Sequence, residues 1–270
     1  MSLAQRAAAE HPLGESHVLG MAEMGFRGLS EQWLMRRAGD LHWRLIARAM
    51  GQRDAVFACA EGRPLYAAFC ASRLVLDRPG APRLGGRLNL SARLFRVGRS
   101  RLGSIVTLCD AAGTVGRIAL VSAFVGRAEG GGNRSLARRA PRALALPSAT
   151  DAGLDALARG AARTAALLRG LRPEGRGLRL TPCPGLDFNA AGLLYFPSFA
   201  ALADRAEFAA GLAPDGPLAA RYAVFLGNVE PGETVEVRLV SRRAHRAALL
   251  SGTDGRPLAL LRTRTEANCM

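Results

Sequence analysis

The stretch "GLSEQWLMRRAGDLHWRLIARAMG", Gly28 to Gly51, sets the plan for the chain around it. Ser30 is a natural N-cap, because its hydroxyl can accept a hydrogen bond from an otherwise orphaned first-turn amide. Glu31 follows in the first turn, where the helix dipole favours negative charge. Trp33, Leu34, Ala38, Leu41, Leu45, Ile46 and Ala49 recur at three- and four-residue spacing, which predicts one buried stripe. Gly51 supplies the stop. The segment reads as a single long helix.

Strand-like segments follow from Ala55 to about Val125. "DAVFACAEGRPLYAAFCASRLVL" places two extended runs around a Glu61-Gly62 turn, a hairpin signal. "GRLNLSARLFRVGRSRLGSIVTLCDAAGTVGRIALVSAFVGR" continues the habit, with turns expected from Arg99 to Gly103 and from Ala111 to Gly116. This is an antiparallel meander following one helix. The glycine- and arginine-rich "AEGGGNRSLARRAPRAL" then reads as a linker, and the alanine-rich stretch from Asp151 to Gly170 as a connecting helix. The plan returns in the second half: an apolar helix from about Leu194 to Leu212, then three expected strands, "AVFLGNV", "ETVEVRLVS" and "RPLALLRTRT". Pro231-Gly232 and Thr253-Asp254-Gly255 separate them. Helix then meander, twice, predicts an α+β chain: two antiparallel sheets, each wrapped around a long central helix. The expected division is residues 13–130, a linker and connecting helix over 131–172, and residues 173–270.

Composition bounds the function. In 270 residues, 37 basic and 22 acidic side chains leave a net charge of +15, and every basic residue is arginine. Guanidinium forks suit phosphates and carboxylates, although an all-arginine, alanine-rich chain also follows from genomic base composition alone. Five scattered cysteines with no C-x-x-C pair, and four histidines without ligand spacing, argue against a disulfide framework or a metal site. No signal peptide and no apolar run of about 18 residues is visible. The expectation is a soluble, cytoplasmic protein. Nucleic-acid binding, which the arginine excess raises, lacks a helix-turn-helix or zinc-finger signature and aromatics alternating with arginine.

"GLSEQWLMRRAGDLHW" and "FNAAGLLYFPSFAALADRAEF", with "FLGNVEPGE" downstream, resemble the double hot-dog biosynthetic proteins. Their best-known type is the bifunctional acyltransferase/decarboxylase of the leinamycin polyketide pathway. The resemblance covers roughly Leu19 to Phe69 and Asp187 to Arg238. It implies a double hot-dog fold acting on acyl thioesters of coenzyme A and acyl carrier protein, with no bound cofactor. It also implies a key tyrosine, for which Tyr66 in "EGRPLYAAF" is the matching residue. Thioester carbonyls in such folds meet the amides at the N-terminus of the central helix. Loss of one preorganised donor to a developing oxyanion costs about 3–4 kcal/mol of barrier.

The residues offer matching chemistry. Asn189 in "DFNAAG" can orient substrate or water, or cap the helix after it, and Gly192 lets backbone approach a ligand. Gly28, Leu29 and Ser30 supply similar ingredients before the first helix. Tyr66 can accept an acyl group or hold a substrate carboxylate, or it is a half-buried strand tyrosine. His42 and Asp40 can serve as acid and base, but positions two apart on a helix do not face each other. Asp204 and Glu207 share one helical face. Glu207 is a candidate base for hydrolysis, and an ion pair is the structural alternative. Asn228 in "LGNVEPGE" follows Gly227, where a strand can bulge and redirect a side chain. The arginines from Arg134 to Arg142 read as a solvated linker or as a docking patch for an acidic carrier protein.

Three functions remain in view. The leading one is acyl transfer from coenzyme A to a carrier protein, with decarboxylation of a malonyl-type group. The others are a thioesterase using Glu207 and water, and a non-catalytic acyl-binding partner. A monomer and a homodimer are equally compatible, because two units in one chain can satisfy their pairing internally.

Overall fold

The structure is a computed structural model that describes residues 11–142, 144, 147–171, 177–212, 216–242 and 245–266. The first ten residues and Cys269 lie outside the described residues.

The first half runs β1 (Leu13–Val18), a small hairpin of β2 (Met24–Gly25) and β3 (Gly28–Leu29), and helix α1 (Glu31–Ala49). Then come β4 (Phe57–Ala58), β5 (Pro64–Leu76), β6 (Arg87–Val97), β7 (Arg101–Asp110) and β8 (Gly113–Gly126). A short 3₁₀ turn (Asn133–Ser135), β9 (Ala137–Arg138) and α2 (Ala152–Arg169) lead into the second half. That half holds β10 (Leu178–Leu180), a four-residue α3 (Pro184–Asp187), α4 (Phe196–Ala209), β11 (Leu218–Phe225), β12 (Val235–Arg242), β13 (His245–Gly252) and β14 (Pro257–Thr265).

Helix α1 begins as its sequence predicts: Ser30 Oγ accepts from the Trp33 amide at 3.3 Å. It ends where Gly51 takes φ 70°, a backbone angle that favours glycine. The buried face contains the expected stripe and adds Met35 and His42, whereas Trp33 is only partly covered. Strand β6 shows the matching period of two, with Leu88, Leu90, Ala92 and Leu94 inward and Arg87, Asn89, Ser91 and Arg93 outward. Each such leucine, fully buried, contributes about 1.5–3 kcal/mol.

Three expectations shift. The turn expected from Arg99 to Gly103 falls at Gly98–Ser100, and Gly103 lies inside β7. Val97 and Leu154 side chains would approach a Cβ there to 2.8 and 2.9 Å, so the glycine makes room for packing. The turn expected from Ala111 to Gly116 contracts to Ala111-Ala112, ending on Gly113 at φ 116°. After α4 the described residues hold four strands where three were expected. "HRAALLSG" forms β13, although alanine, leucine and arginine carry little strand propensity. It is a strand because β12 and β14 pair with it on both sides. The first expected strand there also starts earlier and ends at Phe225, since the Leu226 and Gly227 amides both turn to the Leu258 carbonyl.

The strand order is β1-β6-β7-β8-β5-β11-β14-β13-β12-β10, with β4 on β5 and β9 on β8. The order is palindromic in kind: each half runs outward from a central strand through a three-stranded meander to an edge strand that precedes its helix. Helix α1 packs on the first-half sheet and α4 on the second, building two cores. Helix α2 lies on the opposite face, where Leu154, Leu157, Ala158 and Ala161 meet Ala71, Val121 and Val224. The halves join through β5 and β11, paired antiparallel from Ala71–Val75 to Ala220–Val224. They join again where the Phe196 ring fills the space at Gly39, a position at which a Cβ would lie 2.9 Å from the ring.

Two polar features are built into these cores. His42 is fully buried, with Nδ1 and Nε2 each 2.8 Å from a serine hydroxyl, Ser104 and Ser122. Burial lowers its pKa to about 3, so the ring is neutral in the fold. Under the foot of α1, Arg221 meets Glu31 at 3.0 Å and Asp204 at 2.8 Å. Burial pushes the Glu31 carboxyl up to about 7, against the pull of Arg221. Among the described residues, no helix is long and apolar enough to cross a membrane.

Replacing His42 by Leu strands two buried hydroxyls, at about 1–3 kcal/mol each. The urea midpoint is expected to fall clearly, and a wild-type midpoint would refute the packing role. For Glu31 the native state holds a proton that the unfolded chain has released between pH 4.5 and about 7. Stability therefore declines as pH rises through that window. Glu31→Gln is expected to flatten this slope in urea titrations at successive pH values; an unchanged slope would refute it.

Candidate functional site

Strand β5 is 13 residues long but pairs with β11 only from Ala71 onward. Its register against β8 slips between Phe69 and Ala71, so Pro64–Cys70 swings away from β11. Helix α4 begins beside this parting. The gap is a cavity of about 710 Å³. Its deep end is aromatic: Trp43 from α1, Phe69 from β5, Tyr195, Phe196 and Phe199 at the start of α4, and Phe225 from β11. Phe69 and Phe196 stand 4.3 Å apart centre to centre, and Trp43 stacks on Phe69 at 5.7 Å. The Trp43 indole also donates to the Ala67 carbonyl at 3.0 Å, satisfying an acceptor on the strand that leaves its neighbour.

The other end is polar. Tyr66, Val125 and Arg138 are successive cross-strand partners on β5, β8 and β9, so they share one face. Behind Tyr66 stands Arg127, just beyond β8. Its Nη1 donates to the Tyr66 hydroxyl at 3.1 Å, and its guanidinium lies 5.4 Å from the Tyr66 ring centre. Nε and Nη2 donate to Asn133 Oδ1 at 3.2 and 2.7 Å, and Nη2 also to the Ala191 carbonyl at 2.6 Å. Asn133 Nδ2 donates to the carbonyls of Gly192 (2.7 Å) and Val229 (2.8 Å), and its amide donates to Glu230 Oε1. Because Tyr66 accepts from Arg127, its own proton is free to be donated into the cavity.

The structure brings Tyr66, Asn189 and Asn228 together on the cavity wall. Both asparagines are occupied by backbone. Asn189 Oδ1 accepts from the amides of Ala191 and Leu193 at 3.0 and 3.1 Å. Asn228 Oδ1 accepts from Leu194 and Val229, and its Nδ2 donates to the Leu194 carbonyl. Gly192 sits in the turn they brace, at φ 69°. Ahead of α4, the amides of Ala191, Leu193 and Leu194 are spent on these side chains and those of Gly192 and Tyr195 on backbone carbonyls, and Pro197 in the first turn has none to offer.

The remaining candidates lie elsewhere. His42 is shut in the core with both ring nitrogens taken. Gly28, Leu29 and Ser30 stand at the start of α1 but off the cavity wall, with Gly28 against Pro79 and Pro217. Glu207 is roughly 16 Å down the axis of α4 from Phe196, at ~1.5 Å per residue. It is buried against Arg246 at 3.3 Å, and its carboxyl is raised chiefly by burial. Asp204 faces Arg221. The ion-pair alternative describes both acids. Asp40, half-exposed, lies 3.7 and 3.6 Å from Arg37 and Arg44.

Arg127 and Asn133 were missed by sequence reasoning, the second because it lies in the segment read as a linker. The available signal was a lone asparagine between "GGG" and an arginine run. Among the described residues lining the cavity there is no carboxylate and no histidine. Burial raises the Cys70 thiol, and it pushes the Tyr195 hydroxyl up to about 12 against the nearby Arg36. Among the described residues no cluster of His, Cys, Asp or Glu could hold a metal. The arrangement can enclose an apolar chain and donate a hydrogen bond from a charge-supported phenol at one end.

No protein-family model matches the sequence, and no curated protein matches it significantly. Solved structures do match in shape. The 12:0-ACP thioesterase from Umbellularia californica superposes with a TM-score of 0.67 at 13% identity, over 94% of this chain and 97% of that one. An acyl-ACP thioesterase from Bacteroides thetaiotaomicron gives 0.65 at 11% identity, over 98% and 100%. A MaoC-like dehydratase from Phytophthora capsici gives 0.51 at 12% identity, over 99% and 100%. With its large antiparallel sheet and few helices, the chain has the fold of these proteins, the hot-dog fold.

Proposed function

We propose that this protein is a double hot-dog acyl-thioester hydrolase acting on coenzyme A or carrier-protein thioesters. In this reading residues 13–130 and 173–270 are the two units. The carrying observation is the cavity between them, with an aromatic deep end sized for an acyl chain and a polar end where Arg127 supports Tyr66. Pockets of this volume and apolar character suit a small ligand with a few placed polar contacts. The acyl chain occupies the aromatic end and the thioester carbonyl meets the Tyr66 hydroxyl. Water adds to the carbonyl carbon, and the developing oxyanion takes the Tyr66 hydrogen bond. The carbon–sulfur bond then breaks, and the departing thiolate takes up the proton that water gave. Likeness to proteins named as acyl-ACP thioesterases favours hydrolysis over acyl transfer to a carrier or decarboxylation, which the sequence resemblance implies and the same cavity would serve.

A second reading has its own observation. Because the described cavity wall carries no carboxylate or histidine to activate water, a non-catalytic acyl-binding partner fits as well as a slow hydrolase.

Incubation with acyl-coenzyme A esters of graded chain length, followed by thiol detection and mass spectrometry, separates these. Release of free acid and thiol is expected. Saturable binding without release selects the second reading, and product on an added carrier protein selects transfer. Tyr66→Phe is expected to lower kcat by about 10²-fold, the usual loss for one oxyanion donor, with KM little changed. Full activity in that variant would remove Tyr66 from the mechanism.

A further inference from the structure

We infer that Asn133 is a positioning residue for Tyr66, acting through Arg127, and that the segment carrying it is a wall of the site and not a spacer between the halves. This rests on the hydrolase reading above and deepens it.

Asn133 is 3% exposed, inside a stretch rich in glycine and arginine. Its side chain is saturated: Oδ1 accepts twice from Arg127, and Nδ2 donates to Gly192 and Val229. These partners come from three separate segments, the end of β8, the turn before α4 and the loop after β11. One amide therefore sets the spacing of all three around the polar end of the cavity. It also fixes the guanidinium plane. With Nε and Nη2 of Arg127 held by a single oxygen, Nη1 is left directed at the Tyr66 hydroxyl.

The residue type matters as much as the place. Every hydrogen-bond acceptor of Arg127 among the described residues is neutral: a phenol, an amide oxygen and a backbone carbonyl. An aspartate at 133 would still accept from the fork but would cancel its charge and leave the Gly192 and Val229 carbonyls without a donor. Asparagine anchors the cation and leaves its field on Tyr66, where a growing oxyanion would be stabilised.

The test is a double-mutant cycle on the full chain, combining Asn133→Leu with Tyr66→Phe. It is read on kcat and KM for an acyl-coenzyme A ester. The same four proteins are also titrated with a dethia analogue, in which CH₂ replaces the thioester sulfur and the carbonyl is kept. Asn133→Leu is expected to lower kcat at least ~30-fold with Tyr66 present and less than ~3-fold once Tyr66 is Phe, with a parallel pattern in analogue affinity. Leu157→Ala, in the cluster where α2 meets the sheet, controls for lost stability: its melting temperature falls and its kcat does not. Should the Leu variant fail to fold, Asn133→Asp keeps the acceptor for the Arg127 fork. It is expected to melt below wild type, because the Gly192 and Val229 carbonyls lose their donor, and, at temperatures where it is folded, to lose roughly 10-fold in kcat, again only with Tyr66 present. Independent losses in both readouts, or an Asp variant with full kcat, overturn the role of Asn133 and leave the hydrolase reading standing. A wild-type protein that neither cleaves the ester nor binds the analogue removes that reading, and this one with it.

Discussion

Five backbone pairs between β5 and β11, from Ala71–Val75 to Ala220–Val224, hold the molecule together as one sheet. Each half has an edge strand, a helix and a meander, and neither covers its own central strand edge. Pairing the two central strands removes both exposed edges. The same pairing creates the cavity. Because β5 continues past the pairing and its register slips at Cys70, the two strands must part, and the parting is the opening. Phe196 on Gly39 then sets how closely α1 and α4 approach beneath it. Sheet continuity, helix contact and cavity depth all follow from this junction.

The polar end of the cavity obeys a different constraint, the satisfaction of buried donors and acceptors. Three loops meet there, and loops carry backbone groups that no ladder pairs. Asn133, Asn189 and Asn228 supply the missing partners, each bridging backbone with one amide. Glu230 closes the set on the Asn133 amide. These asparagines tie the rim together, and Arg127 and Tyr66 are held within that frame. Much of what looks in sequence like binding chemistry is therefore the scaffold that keeps one phenol in place.

Charge is also divided by position. Arg221 and Arg246 lie largely buried against Glu31 and Glu207, with the half-exposed Asp204 completing the Arg221 pair, at ends of the two central helices where a lone charge would be costly. Arg134 and Arg256, by contrast, reach Glu233 and Asp254 on the surface beside the cavity, where such pairs contribute little to stability. The arginine excess is thus no single surface with a single purpose.

The chain's own patterning determined much. The capped stripe of α1, the period-two alternation of β6, the connecting helix after Asp151 and the return of an apolar helix near Leu194 were all legible, because they are local: burial on one side of a helix or strand dictates spacing of residues near in sequence. Asn189 and Asn228 were legible as unusual residues at a turn and a strand end, and Tyr66 through the resemblance to the double hot-dog proteins. Tertiary structure alone decided which of them share a cavity, that His42 and Glu207 are enclosed elsewhere, and that "HRAALLSG" is a strand. It alone showed that Asn133, in a stretch composed like a spacer, ties Arg127 to Tyr66. Arg127 meets Tyr66, and Asn133 meets Gly192 and Val229, across about 60 to 100 positions, and no local spacing encodes which distant carbonyl an amide will meet.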